Sequence, residues 1–235
     1  MVRSTKSIEA FGLRAAFVRY LTQPLDGSDS VTPAERGSLA AILNRGDVLL
    51  TDANTRCAAL VKRVTRSVWS HVAMYVGPLE QAADPLCIVE ADFAEGVRPI
   101  RLSELNAQRV CVLRPTALTE AERCQLADSV VGRIGSDYDL AHAWRLGRQL
   151  LSGGAKRTSK RISKPSGHHP RRFICSTLVA HAFASVGYAI LPSETPARAD
   201  AFNHHNLTPA DFEHAPVLRA VWPLPQTAAS SCHCV

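Results

Sequence analysis

The chain has 235 residues, 46% of them hydrophobic and 20% charged, with a formal net charge of +6. This length can bury a full core and the composition is too apolar for a disordered polymer, so one compact domain with an N-terminal appendage is expected. No apolar run reaches the roughly 18 residues that a membrane-spanning helix needs, and the seven scattered cysteines form no disulfide framework and are expected to be reduced.

Near the N-terminus, Arg3 and Lys6 are followed by Glu9, Arg14 and Arg19, which interrupt the apolar core of a secretory signal. The chain therefore reads as cytoplasmic when made, with export by a route that needs no cleaved signal left open. Residues 1–43 read as an appendage: an amphipathic stretch from Ile8 to Leu21, serving as a packing helix or partner contact, then a polar linker marked by Pro24, Gly27 and Pro33.

Residues 44–224 read as the main domain and 225–235 as a flexible tail. Patterning predicts a strand at 47–50, a helix at 54–66, then strands at 71–76, 86–91, 97–101 and 109–113. Thr119 and Glu122 form a capping box that opens a helix to about Gly132, and a second helix covers 139–151. Strands followed by helices give an α+β class, an antiparallel β-sheet with helices packed on one side. Cys57, Cys87, Cys111 and Cys124 lie on apolar faces and read as core filler.

Between Leu140 and Ser193 there is no acidic residue, while Arg145, Arg148, Lys156, Arg157, Lys160, Arg161, Lys164, Arg171 and Arg172 supply positive charge. The Gly, Ser and Pro content of 152–172 makes this a basic loop, read as a collar that draws an anionic substrate or membrane surface to the site. The run lacks interleaved aromatics, and the chain has no zinc-finger frame, GxGxxG or GxxxxGK[ST], which argues against nucleic acid.

The loop leads into Arg-Arg-Phe-Ile-Cys-Ser-Thr-Leu-Val-Ala-His-Ala-Phe-Ala-Ser-Val-Gly, residues 171–187. Leu178, Val179, Ala182, Phe183 and Val186 recur at helical spacing, so Cys175 falls in the first turn of a buried helix. Unpaired amides and the positive end of the helix dipole stabilise a thiolate there, and the thiolate is the nucleophile. A base is offered by His71, which opens the alternating strand Ser70-His71-Val72-Ala73-Met74-Tyr75-Val76-Gly77. Glu90, near the end of Cys87-Ile88-Val89-Glu90-Ala91, can hold the imidazole in its productive tautomer, with Asp92 a neighbouring competitor. His181 reads as structural, and His204, His205, His214 and Asp211 as loop residues, because no HExxH or CxxC frame surrounds them. Cys232-His233-Cys234 reads as a polar tail. Neither a metal nor a cofactor is expected.

These segments resemble the permuted papain-like thiol hydrolases of the YiiX/YebB type, within the NlpC superfamily. The resemblance rests on Gly46-Asp47-Val48-Leu49-Leu50, the His71 strand, Val89-Glu90-Ala91 with Gly96-Val97, Tyr138-Asp139, Cys175-Ser176 and Thr208-Pro209-Ala210-Asp211-Phe212, in that order. It implies a permuted papain-like fold with Cys175 as nucleophile, His71 as general base and Glu90 as orienting group. Ile174 and Thr177 depart from the tyrosine and glutamate that relatives often carry at those positions. On the substrate side, Tyr138 is a further donor or pocket wall, with a core tyrosine the equal alternative, and Ser176, Arg171 and Arg172 flank the nucleophile. The implied activity is hydrolysis of an amide or ester in an anionic peptide or lipid of the cell envelope. A phospholipid-directed acyltransferase, a non-catalytic lipid-binding module and a basic nucleic-acid adaptor are the competing readings.

Overall fold

The protein is described from a computed structural model at residues 19–23, 25, 31–151, 172–191 and 207–223. Strand β1 (Val48–Asp52) is buried along its whole length because alternate residues serve two cores. Val48 and Leu50 join one apolar cluster and Leu49 joins the other. The same division runs through β2 (His71–Tyr75), where Val72 and Met74 oppose Ala73, and through β5 (Arg109–Pro115), where Cys111 and Leu113 oppose Val110 and Val112. With β3 (Leu86–Asp92), β4 (Gly96–Arg101) and β8 (Leu218–Trp222) they form a six-stranded antiparallel sheet in the order β4-β3-β2-β1-β5-β8.

Helices therefore cover both faces, not one. On the face away from the Cys175 helix lies α1 (Pro33–Ile42), and the expected polar linker does not extend over those residues. The Thr32 hydroxyl accepts from the Glu35 amide, and the Glu35 carboxylate accepts from the Thr32 amide at 2.8 Å. Pro33 takes the first helical position, where its missing N–H costs nothing, so it starts a helix rather than marking a loop. Leu39 and the following Leu43 then pack with Val31, Ile88, Ile100 and Leu105 against the sheet.

The first face carries α3 (Glu120–Val131), α5 (Cys175–Ser185) and α6 (Pro209–Glu213), the first with the expected Thr119–Glu122 capping box. Leu126, Val130, Leu178, Val179, Phe183 and Phe212 fill this core. Phe183 is fully buried, and truncating such a side chain costs about 3–5 kcal/mol. Thus α5 is clamped along its length, and its N-terminus is fixed against the strands. Two further helices, α2 (Arg56–Thr65) and α4 (Leu140–Leu151), pack on each other. Among the described residues no helix is long and apolar enough to cross a membrane.

One turn sets the edge of the site. Gly96 has φ +79°, and a Cβ there would be pressed into the Ser136 carbonyl. The close approach lets Val97 donate its amide to Ser136 and accept from Gly135, both at 2.8 Å. The latch carries the chain into β6 (Asp137–Tyr138), which pairs in parallel with β7 (Arg172–Phe173) and sets Tyr138 beside Phe173.

Candidate active site

Cys175 is the first residue of α5, and the residue is buried, 9% exposed. The preceding Ile174 has no polar side chain to cap the helix, and Thr177 takes over at the third position: its hydroxyl accepts from the Ile174 amide and donates to the Ile174 carbonyl, both at 3.0 Å. The departure from the family pattern at these two positions is thus a local capping solution. It leaves the Ser176 amide to the sulfur.

The structure brings Cys175, His71 and Glu90 together across three elements. The sulfur is hydrogen-bonded to the His71 imidazole and to the backbone amides of Val72 and Ser176. The imidazole Nε2 lies 3.1 Å from Oε2 of Glu90, which leaves Nδ1 for the sulfur. Asp92 does not compete: its Oδ1 accepts the amides of Ala94 and Glu95 at 2.8 and 2.9 Å and so closes the turn between β3 and β4.

The other Glu90 oxygen is held by Arg98, which the sequence reading missed. Its Nε and guanidinium nitrogen donate to Oε1 at 3.1 and 2.9 Å. Glu90 and Arg98 face each other across the β3–β4 hairpin. The two residues are equidistant from the turn at Ala94, so folding the hairpin on paper pairs opposite charges; that signal was available.

Electrostatics follow from this arrangement. Burial opposes a charged imidazole, but the Cys175 sulfur and the Glu90 carboxylate overcome it and raise the His71 pKa well above the ordinary histidine range. Burial likewise opposes the thiolate, but the His71 charge, its hydrogen bond and the Val72 and Ser176 amides lower the Cys175 pKa. Glu90, despite burial, is held below the usual carboxylate range by His71 and Arg98. Both shifts favour a thiolate beside an imidazolium, the form in which the sulfur is nucleophilic.

Tyr138 stands at the rim, its ring edge-on to Phe93 at 5.3 Å. Burial, then the negative charge of Cys175, Cys57 and Asp92, pushes its pKa well up, so it keeps its proton as a donor. Cys57, expected to fill the core, is only half-buried and feels the Cys175 charge; burial pushes its thiol up to about 11. Ser176 does not offer its side chain to a substrate as expected. The hydroxyl is buried and donates to the Leu207 carbonyl at 2.6 Å, tying the chain before α6 to the nucleophile helix. Arg172 is exposed, 3.7 Å from Asp137. Arg171, the basic stretch 152–171, residues 8–18 of the amphipathic stretch, His204, His205 and the Cys232-His233-Cys234 tail lie outside the described residues. His181 stacks edge-on to Phe173 at 5.6 Å.

A thiol at a helix start, against an imidazole on a strand of the antiparallel sheet that precedes the helix in the chain, defines a permuted papain-like thiol hydrolase. Residues 42–152, a little under half of the chain, match the family model of permuted papain-like amidase enzymes, YaeF/YiiX, the C92 peptidase family, and over that stretch the chain is similar to this YiiX-type family. The match includes His71 and Glu90 and ends before Cys175. A crystal structure of the metalloprotein YiiX from Escherichia coli O157:H7 shares the fold, with a TM-score of 0.51 and 16% identity over 76% of this chain and 96% of that one. No curated protein matches the sequence. Among the described residues no group of three or more His, Cys, Asp or Glu could hold a metal ion.

Proposed function

We propose that the chain hydrolyses amide or ester bonds through Cys175 as nucleophile, His71 as acid and base, and Glu90 as the group that orients the imidazole, acting on an anionic substrate of the cell envelope, a peptide or a lipid. The observation that carries this reading is the imidazole shared between the Cys175 sulfur and the Glu90 carboxylate. A pocket used only for binding has no use for a thiol kept ionised by a base that a carboxylate orients.

The Cys175 thiolate attacks the carbonyl carbon, and the electron pair moves to the carbonyl oxygen. That oxygen is stabilised by the Cys175 amide at the start of α5 and by the Tyr138 hydroxyl, which retains its proton. Collapse expels the amine or alkoxide, which takes the proton from the His71 imidazolium and leaves a thioester. His71, now neutral, removes a proton from water, which attacks the thioester and releases the acid. Throughout, Glu90 accepts from Nε2 and Arg98 keeps Glu90 ionised.

Incubation with peptidoglycan fragments, phospholipids and acyl-thioesters separately, followed by intact-mass spectrometry, tests the proposal. A mass increment that maps to Cys175 names the substrate class, and Cys175→Ala should abolish both increment and turnover while keeping the fold. Turnover that survives in Cys175→Ala removes the nucleophile.

A further inference from the structure

Helices α2 and α4 share a composition that the catalytic reading does not use. Neither contains an aspartate or glutamate. The α2 segment carries Arg56, Lys62 and Arg63, with Arg66 at its C-cap, and α4 carries Arg145 and Arg148. Of these cations, Lys62 is answered by Asp52 at 2.5 Å, and Arg56 lies over the Tyr20 ring at 4.6 Å. Arg63, Arg66, Arg145 and Arg148 have no carboxylate within ion-pair distance among the described residues.

Large apolar side chains stand among these charges. Trp144 on α4 is 66% exposed, Leu60 on α2 is 50% exposed, and Val68, just past α2, is 45% exposed. The two helices pack on each other, so their outer surfaces adjoin. A soluble surface spaces its apolar residues singly and mixes charge signs. This one combines a tryptophan, two aliphatic side chains and cations of one sign, the composition that suits the boundary between anionic headgroups and acyl chains. Nucleic acid would also answer the charge, but it has no use for exposed leucine and valine.

We infer that the α2–α4 face docks on the surface of an anionic lipid bilayer, with Trp144 and Leu60 entering the headgroup boundary and Arg63, Arg66, Arg145 and Arg148 pairing with lipid phosphates. This surface is built from two helices and uses no residue of the stretch 152–171. Docking itself is independent of catalysis. Its consequence for function rests on the hydrolase reading: Cys57, in the first turn of α2, is close enough to Cys175 to feel its charge. A bilayer on the outer side of these helices would lie within about one helix diameter, roughly 10 Å, of the nucleophile's surroundings.

The test is flotation of the full chain with vesicles of phosphatidylcholine alone and of phosphatidylcholine mixed with phosphatidylglycerol, at about 0.15 M salt, where surface charges are screened beyond about 8 Å. Binding to the mixed vesicles, absent from the neutral ones and accompanied by a blue shift of tryptophan emission that Trp144→Phe removes, is the expected result. Arg145→Gln/Arg148→Gln should weaken partition about twenty-fivefold, at about fivefold per arginine, and Trp144→Ala should weaken it at unchanged charge. All these positions are exposed, and undiminished iodoacetamide labelling of Cys175 at about pH 6, where a thiol without the His71 contact is slow, certifies that each variant is folded. Equal binding to both vesicle types, no binding to either, unweakened binding of the variants, or displacement from anionic vesicles by duplex RNA would overturn the proposal. Cys175→Ala protein should float like the wild type, so loss of turnover and loss of docking are read separately.

Discussion

Two buried carboxylates in this molecule are each gripped by an arginine, and they do different work. Asp47, wholly buried at the start of β1, receives Arg114 through both oxygens at 2.9 and 2.7 Å and the Asn44 amide at 2.8 Å. Glu90 receives Arg98 on one oxygen only and turns the other to His71. The first pair is saturated and can only hold the turn into the central strand. The second is left half open, and the open oxygen meets a group that can lose a proton. The difference between a strut and a working part is therefore one unfilled acceptor, not the identity of the ion pair.

The contrast can be broken in several ways. Glu90→Gln should lower kcat by about a hundred- to ten-thousandfold, the range for loss of an imidazole-orienting carboxylate, with little change in KM; steady-state kinetics check this. In the wild type, the lowered Cys175 pKa and raised His71 pKa keep the ion pair across a wide pH range, so alkylation of Cys175 by iodoacetamide should stay fast well below the ordinary thiol pKa. His71→Ala returns the thiol toward about 8.5 or higher, and alkylation at about pH 6 should fall about a hundredfold or more.

Asp47→Asn should instead cost about 3–5 kcal/mol of stability in denaturant titration, as breaking a buried pair does, yet leave the alkylation rate of the folded protein unchanged. A slowed rate would mean that the two pairs are coupled through β1. The smallest effect belongs to Arg98→Gln, with kcat reduced about tenfold, toward the low end for an outer-shell partner. Its signature is the pH profile. Arg98 helps hold the Glu90 pKa down, so its removal raises that pKa and moves the acid limb of activity to higher pH.

What the sequence disclosed divides along the same line. Alternation in Val72, Ala73 and Met74 exposed β2, the Thr119–Glu122 pair exposed α3, and helical spacing behind Cys175 exposed α5, because each signal is local. Cys175, His71 and Glu90 could be named from residue type and order. Arg98 was harder, since its meaning appears only when the hairpin register is drawn. Helix α1 was hidden by Pro33, read as a linker mark although Thr32 and Glu35 flank it as a cap. Strand β8 was not foreseen: its residues are exposed or half-buried, so it lacks a strong apolar alternation and is recognisable mainly by its pairing with β5. The hydroxyl of Ser176 looked like site chemistry until its partner, the Leu207 carbonyl, came from a distant segment.

The order of the elements has an outcome for the protein's birth. Because His71, Glu90 and Arg98 sit on strands that leave the ribosome before α5 is made, the proton acceptor and its supports can be assembled while the sulfur has yet to be synthesised. A chain released before residue 175 would lack the sulfur, and a longer one gains it with α5, ahead of α6 and β8. Element order thus puts the reactive sulfur after the groups that activate it.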